Sequence, residues 1–302
     1  MPKTSVTVYY HDHCSDGFTA AWAANLKFRN DPTVDLSLIP YSIGDPLPSL
    51  PESGRVYIAD LSFTPEFFEA LRAKLGTTNV KMLDHHKSAQ ETFRPYAGDP
   101  GVVFDMNKSG ARLAWEEFFP EADVPNIVSY VEDRDLWRFD LPYSRDVSTA
   151  ILSYPLEMGA WNTLAERLGY KPLTKEHPLV VEGHAISRYK DSLVASAISR
   201  TGEIGLLPTG ARALFVNSSV LASDIGNTKA DVPVVVVWTR QKDGRYYYSL
   251  RGGETAPDLS RLAKQFGGGG HAKAAGFTAD HFIFTPLVKD AGERDTDKSH
   301  ER

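Results

Sequence analysis

Two imidazoles, two carboxylates and a thiol fall within six positions near the start of the chain. They are His11, Asp12, His13, Cys14 and Asp16, in YYHDHCSDGF. Alone, such a cluster is no more than a polar turn. The same residue types recur further on: Asp60 closes VYIAD, Asp84, His85 and His86 close NVKMLDHH, and Asp133 and Asp135 lie in YVEDRDLW. Hard divalent ions take carboxylate oxygens, and imidazole suits Mn, Fe, Co or Zn. A site that mixes several Asp with two or three His favours Mn²⁺ over Mg²⁺ alone. One bridging carboxylate can hold two such ions about 3.5–4 Å apart, a spacing suited to phosphoester hydrolysis. Asp60, between the two histidine-bearing segments, is the natural bridge.

The elements that must position these residues are legible. SVTVYY is β-rich and runs into the first cluster, and GFTAAWAANLKF after it reads as a helix. VYIAD is a second apolar strand ending in an acid. TPEFFEALRAKLG follows as a helix, with Thr64 as N-cap, Pro65 at the first position and Gly76 as the stop. NVKMLDHH repeats the plan of a short strand ending in polar residues, and SGARLAWEEFF is a further helix opened by Ser109 and Gly110. Strands alternating with helices predict βαβ units and a mostly parallel sheet. In such sheets ligands bind beyond the carboxyl ends of the strands, where His11 to Asp16, Asp60 and Asp84 to His86 would all lie. Past Trp137 the sequence is helical, including the long stretch Pro178 to Arg200, a connector between two domains. ALFVNSS, VPVVVVWTR and YYYSLRG are strands of a smaller α/β domain, and DLSRLAKQFGGGGHAKAAGF is a helix followed by a glycine loop. The charged end, KDAGERDTDKSHER, reads as disordered.

Composition narrows the class. The chain has 302 residues, 42% hydrophobic and 24% charged, long enough for two domains. A net charge of −6 argues against a protein that coats nucleic acid. It leaves room for a small anionic substrate held by metals and local basic residues. A single cysteine permits no intramolecular disulfide, so a reducing compartment is expected. MPKTSVTVYY lacks the apolar core of a signal peptide, and no run approaches the roughly 18 apolar residues of a membrane span. The chain reads as cytoplasmic.

The order of these motifs resembles the DHH phosphoesterase superfamily: His11 to Asp16-Gly17, then Asp60, then LDHHKSA, then Asp133. GGGGHAKAAGF, Gly267 to Phe277, resembles the glycine-rich loop of the DHH-associated C-terminal domain. The resemblance covers most of residues 5 to 280. It implies an α/β fold: a mostly parallel-sheet DHH domain over 1–185, a helical connector over 186–205, a smaller substrate-binding domain over 206–285 with the active-site cleft between, and a tail over 286–302. It implies His11, Asp16, Asp60, His85 and Asp133 as ligands of two divalent ions, Mn²⁺ foremost, with Asp60 shared. Asp84 would orient the adjacent imidazole, and His86 would face the scissile phosphate. Arg251 with Gly268, Gly269, Gly270 and His271 would hold the substrate's phosphates, which suits backbone nests and the arginine fork. Ser109 and Gly110 would support the site.

One position departs from the pattern. The family's first motif usually carries two Asp two residues apart, the second followed by Gly; here Cys14 stands at the earlier place. Cys14 ligates as a thiolate, which would tilt preference toward a softer ion such as Zn or Fe, or His13 or Asp12 substitutes, or that ion is weakly held, or Cys14 is a small buried hydrophobe. Of Asp133 and Asp135, the resemblance favours Asp133 as the ligand, by its spacing before Trp137, with the other as a salt-bridge partner of Arg134 or Arg138. Trp22, Trp115 and Trp137 read as core, and His177, His184 and His281 as ordinary surface residues.

H-x-x-C-x-D-G, EDRDLW and the glycine loop look most like the branch of nanoRNA-degrading oligoribonucleases. The implied function is hydrolysis of short oligonucleotides by metal-activated water, in an exonuclease that could pair as a homodimer and binds no membrane. Two other functions fit the same residues. One is a phosphatase or phosphodiesterase on 3′-phosphoadenosine 5′-phosphate or cyclic dinucleotides. The other is a non-catalytic nucleotide sensor.

Overall fold

The computed structural model describes residues 3–228, 230–283 and 285–286. The chain divides into two compact units, Met1–Asp191 and Ser192–Arg302. Apart from Pro286, the segment expected to be a disordered tail lies outside the described residues. No helix among the described residues is long and apolar enough to cross a membrane.

The first unit is built on five parallel strands: β1 (Thr4–His11), β2 (Val34–Tyr41), β3 (Arg55–Ala59), β4 (Val80–Asp84) and β5 (Val102–Phe104). Their order is β2-β1-β3-β4-β5, every neighbour parallel. Helices α1 (Ser15–Phe28), α2 (Pro65–Leu75), α3 (Lys87–Thr92) and α4 (Gly110–Phe118) follow β1, β3, β4 and β5. Alternation within the strands sends side chains to two cores. Val6, Val8, Ala59 and Leu83 face one, with Trp22, Trp115 and Trp161. Tyr9, Ile58 and Met82 face the other, with Phe67, Phe68 and Leu71 of α2. A sheet covered on both faces is the arrangement that parallel strands require. In α2 the expected signals act: the Thr64 hydroxyl accepts from the Phe67 N–H at 3.3 Å, and Pro65 opens the helix.

Strand order 2-1-3-4-5 reverses direction between β1 and β3. That reversal leaves a crevice at the carboxyl edge, flanked by the last residue of β1, His11, and the residue after β3, Asp60. Helices α5 (Asn126–Asp135), α6 (Ser144–Leu152) and α7 (Met158–Leu168) complete the unit, and α8 (Pro178–Thr201) runs through the boundary at residue 191. Trp22 and Trp115 are core, as their positions predicted, stacked with centroids 6.0 Å apart. Trp137 is not on a helix: it lies past the end of α5 with φ 56°, half-buried against Phe139.

The second unit is a seven-stranded mixed sheet. Its strands are β6 (Glu203–Leu206), β7 (Arg212–Asn217), β8 (Val234–Arg240), β9 (Tyr246–Gly252), β10 (Gly269–Gly270), β11 (Ala274–Ala279) and β12 (Thr285–Pro286), in the order β10-β11-β9-β8-β7-β6-β12. Only β7 and β8 run parallel among these pairings, joined by α9 (Ala222–Gly226). Val234 and Val236 pack with α10 (Leu259–Gln265) on one face, and Val216 and Val237 with Val194 and Ile225 on the other.

Candidate metal centre

The carboxyl edge of the first sheet gathers most of the residues singled out by type. Asp60 sits at the middle, 1% exposed, immediately after β3, with φ 61°. A non-glycine residue in this region costs on the order of 1–3 kcal/mol and persists where its surroundings fix it. Here the turn aims the two carboxylate oxygens at different partners. Oδ1 lies 3.2 Å from His85 Nε2, and Oδ2 lies 3.6 Å from His11 Nδ1. Oδ2 is buried and carries no hydrogen bond among the described residues.

On the His11 side, Cys14 joins the group: one ligand atom from each of His11, Cys14 and Asp60 lies within 4.8 Å of the others. The candidates to replace Cys14 are elsewhere. The His13 side chain is 87% exposed, and Asp12 bonds to it locally, accepting from the His13 N–H at 2.8 Å and lying 3.2 Å from its Nε2. On the His85 side the group is Asp16, His85 and Asp135. His85 Nε2 is 3.7 Å from Asp16 Oδ2 and 3.5 Å from Asp135 Oδ2. The Asp135 side chain keeps 27% exposure, but its carboxyl end points inward to this buried imidazole.

Asp133 is therefore a correction. The sequence favoured it as the ligand, and the structure puts Asp135 beside His85 instead. Asp133 is buried and committed to its own chain. Its carboxylate accepts from the Asp140 N–H at 3.0 Å, the Leu141 N–H at 3.3 Å and the Ser144 hydroxyl. It closes the segment after α5, where Trp137, Phe139 and Tyr143 all have positive φ. Two residues on a helix stand about 200° apart, so only one of the two acids can face the sheet edge.

Asp84 brings a second correction. It does not hold the ring of the adjacent His85 but that of His86, with Nδ1 2.7 Å from Oδ1. The same carboxylate accepts the backbone N–H of His85 at 2.7 Å and of His86 at 3.2 Å, and the Ser62 hydroxyl at 2.6 Å. The aspartate thus fixes the turn after β4 and the His86 ring together.

Asp16 is held by a helix start that type-and-spacing reasoning gave only a supporting role. Its oxygens accept the backbone N–H of Gly110 at 2.6 Å and of Ala111 at 3.0 Å, the first residues of α4. Ser109 caps that helix, accepting from the Arg112 N–H at 3.3 Å. A helix N-terminus favours negative charge, which suits a carboxylate in the core. Two glycines make the approach possible. A Cβ on Gly110 would lie 2.3 Å from the Asp60 Cβ, and one on Gly17 would lie 2.3 Å from the His11 carbonyl oxygen. Gly110→Ala is accordingly expected to displace Asp60, at a cost of about 1–3 kcal/mol of overpacking, and to weaken divalent-ion binding. Thermal melts and ion titration of the variant check both.

Without ions, the charges of this site settle among themselves. Burial and the neighbouring charges of Asp60 and Asp135 push the Asp16 carboxyl well up. Burial raises Asp135 too, against the pull of His85. Burial opposes charge on His85, but Asp60, Asp135 and Asp16 outweigh it and raise the imidazole to about 10. Burial works against the charged forms of Asp60 and Asp84 as well, and their histidine partners hold both below the carboxylate range. The Cys14 thiol is pushed well up by burial and by the charges of Asp60, Asp135 and Asp16. A proton on His85 thus takes the place that a cation would occupy. Orphaned Oδ2, crowded carboxylates and two flanking imidazoles fit a divalent centre of mixed O, N and S donors.

In the second unit, Arg251 and the glycine segment come to one end of the sheet. Arg251 in β9 pairs with Ala274, and Gly270 pairs with the next residue, Ala275. The guanidinium donates to the Ser249 hydroxyl at 3.1 Å, the Leu250 carbonyl at 3.0 Å and the Ser223 hydroxyl at 2.8 Å. The expected glycine loop is in part the short strand β10. The N–H groups of Gly268 and His271 donate to the carbonyls of Ala263 and Ala274, at 2.9 and 2.7 Å, so two of the amides expected to meet an anion serve the fold.

Residues 216–290 match the family model of the DHHA1 domain. Over 310 aligned residues the chain is 28% identical to an uncharacterized protein of Acanthamoeba polyphaga mimivirus, covering 91% of this chain and 69% of the other. Similar solved structures include a pGpG-specific phosphodiesterase from Vibrio cholerae, 14% identical, with 91% of this chain and 93% of that one covered and a TM-score of 0.45. Another is an exopolyphosphatase-related protein from Bacteroides fragilis, 12% identical, with 93% and 88% covered and a TM-score of 0.45. Neither likeness is close enough to transfer an activity. The second unit thus matches the DHHA1 domain, and the first carries the Asp84-His85-His86 triplet at the acidic edge of its sheet, as the resemblance to the DHH phosphoesterase superfamily implies.

Proposed function

We propose that the protein is a metal-dependent phosphodiesterase acting on short oligonucleotides. The observation that carries the reading is Asp60, whose two oxygens face two separate donor groups. His11, Cys14 and Asp60 would hold one divalent ion, and Asp16, His85 and Asp135, with Asp60 shared, the other. Such ions, Mn²⁺ foremost, would acidify water and neutralise charge on the phosphoryl oxygens.

The chain's own residues supply the rest. Asp84 fixes His86 through Nδ1, so Nε2 would be the nitrogen that meets the substrate. Burial opposes the His86 imidazolium, and the charges and hydrogen bond of Asp84, with Asp60, override it and raise its pKa. His86 would then carry a proton to the leaving oxygen as the P–O bond breaks. Arg251 and the turn at Gly268 to His271 are the anion-binding elements of the proposal. A compact site suits the acidic net charge, which would oppose a long nucleic-acid strand.

Hydrolysis of a chromogenic phosphodiester tests the metal requirement. Activity is expected to vanish on chelation and to return with Mn²⁺; chelator-resistant turnover would overturn the reading. Proton linkage gives a second expectation. In the ion-free protein His85 titrates at about 10 when folded against 6.5 when unfolded. Its contribution to stability is therefore complete below pH 6.5 and is lost as pH rises through about 10. Ion-free protein is expected to melt lower at pH 9 than at pH 7. Saturating Mn²⁺ should remove much of that difference, because the ion replaces the proton. Melting curves at the two pH values, with chelator and with Mn²⁺, check this.

A further inference from the structure

The donor atoms around Asp60 form two sets of unlike chemistry. Asp16, His85 and Asp135 offer two carboxylates and an imidazole, while His11, Cys14 and Asp60 offer one nitrogen, one sulfur and one oxygen. Asp60 Oδ2 faces the second set, 3.6 Å from His11 Nδ1, and is buried with no hydrogen-bond donor among the described residues. A carboxylate oxygen taken out of water without a donor is costly, and a cation at that point satisfies it.

Ordinary explanations for Cys14 do not hold. It is the N-cap residue of α1, with extended backbone at φ −123° and ψ 131°, yet its side chain makes no capping hydrogen bond. Ser, Thr, Asp or Asn there would stabilise the helix by about 1 kcal/mol, so helix stability does not select cysteine. The residue as a whole is half-buried and outside the apolar clusters of the first unit, and its buried thiol lies among the charges of Asp60, Asp135 and Asp16. It has no second cysteine to pair with. What cysteine adds at this point is a soft donor beside an imidazole and an orphaned carboxylate oxygen.

We propose that Cys14 ligates as a thiolate and makes the centre chemically asymmetric. The His11–Cys14–Asp60 position takes a borderline dication such as Zn²⁺, Co²⁺ or Fe²⁺, and the carboxylate-rich position takes a harder one such as Mn²⁺. The inference rests on the metal-centre reading above and deepens it by naming which position chooses which ion. Thiolate selects Zn, Fe and Co over Mn and Mg, whereas carboxylates suit the harder ions.

The test uses full-length protein stripped with chelator and titrated with Co²⁺. A thiolate-to-cobalt charge-transfer band is expected in the near ultraviolet, displaced by Zn²⁺ but not by an equal excess of Mn²⁺. Bound Zn²⁺ is expected to slow alkylation of the thiol by iodoacetamide by about tenfold or more, since the free thiolate is the nucleophile. Cys14→Asp should bind cobalt without the band. Cobalt bound to the native chain without a charge-transfer band, and a thiol alkylated equally fast with and without Zn²⁺, would overturn thiolate ligation and leave the metal centre standing. No cobalt binding at all would overturn both. The native spectrum and the alkylation rates need no variant, so a misfolded substitution does not blunt the test.

Discussion

Asp60→Asn is expected to lower metal-dependent phosphodiester hydrolysis by about three orders of magnitude in kcat/KM. Losing a single charge-stabilising group typically costs about 10²–10³, and Asp60 faces both donor groups at once. Asparagine keeps the shape and loses the charge that would pair with two cations. The substitution has a readout that needs no turnover. Asp60 is the nearest counter-charge to His85, at 3.2 Å, and its hydrogen bond and charge do most to hold that imidazole up at about 10. In ion-free Asp60→Asn the His85 titration is expected to fall toward its ordinary value of 6.5, followed by NMR. Full hydrolysis by a folded Asp60→Asn would contradict the bridging role.

Asp135→Asn and Asp133→Asn are expected to fail in opposite ways. Burial raises the Asp135 carboxyl above its unfolded value of 3.8. A group shifted in this direction contributes stability that is complete below that value and is lost as pH rises through the folded pKa. At neutral pH its charge is a burden on the ion-free fold. Asp135→Asn is expected to melt no lower than the native chain without ions, and to lose about 10²-fold or more in activity or ion affinity. Asp133→Asn removes a charged acceptor from two backbone amides and the Ser144 hydroxyl in the interior. Its cost is about 1–3 kcal/mol, or a melting point lower by roughly 2–4 °C for each kcal/mol in a domain of this size. Once folded, this variant should bind ions nearly as the native chain does. The reverse pattern would return the ligand role to Asp133. Calorimetry with and without Mn²⁺ separates the two.

Much of this was legible in residue types and strand ends. His11, Asp16, Asp60 and His85 converge because each lies at or just beyond the carboxyl end of a parallel strand, a consequence of βαβ topology. Thr64 and Pro65 marked their helix because capping is local chemistry. Two strands of the first sheet escaped notice for physical reasons. VDLSLIPY carries a proline, tolerated because β2 is the edge of the sheet, and three-residue β5 is too short to show a period. The choice between Asp133 and Asp135 was not open to motif spacing, because it depends on helix phase. Ile127, Val131 and Asp135 fall at i, i+4 and i+8 of α5, so Asp135 shares a face with two buried residues while staying exposed itself. The attachment of Asp84 to the ring two residues on, rather than one, depends on the backbone turn after β4. So does the role of Ser109 and Gly110, whose amide partner Asp16 is 94 residues distant from Gly110. Cys14 was read as a departure from a pattern; placing its sulfur beside His11 and Asp60 took three-dimensional geometry.

The most direct test of the central claim is hydrolysis of end-labelled RNAs of two to five nucleotides by the native chain with Mn²⁺, resolved by product length, with Asp60→Asn alongside. Stepwise release of mononucleotides by the native chain, lost in the variant, is the predicted result. Intact oligomers after incubation with ion-loaded, folded protein would contradict it.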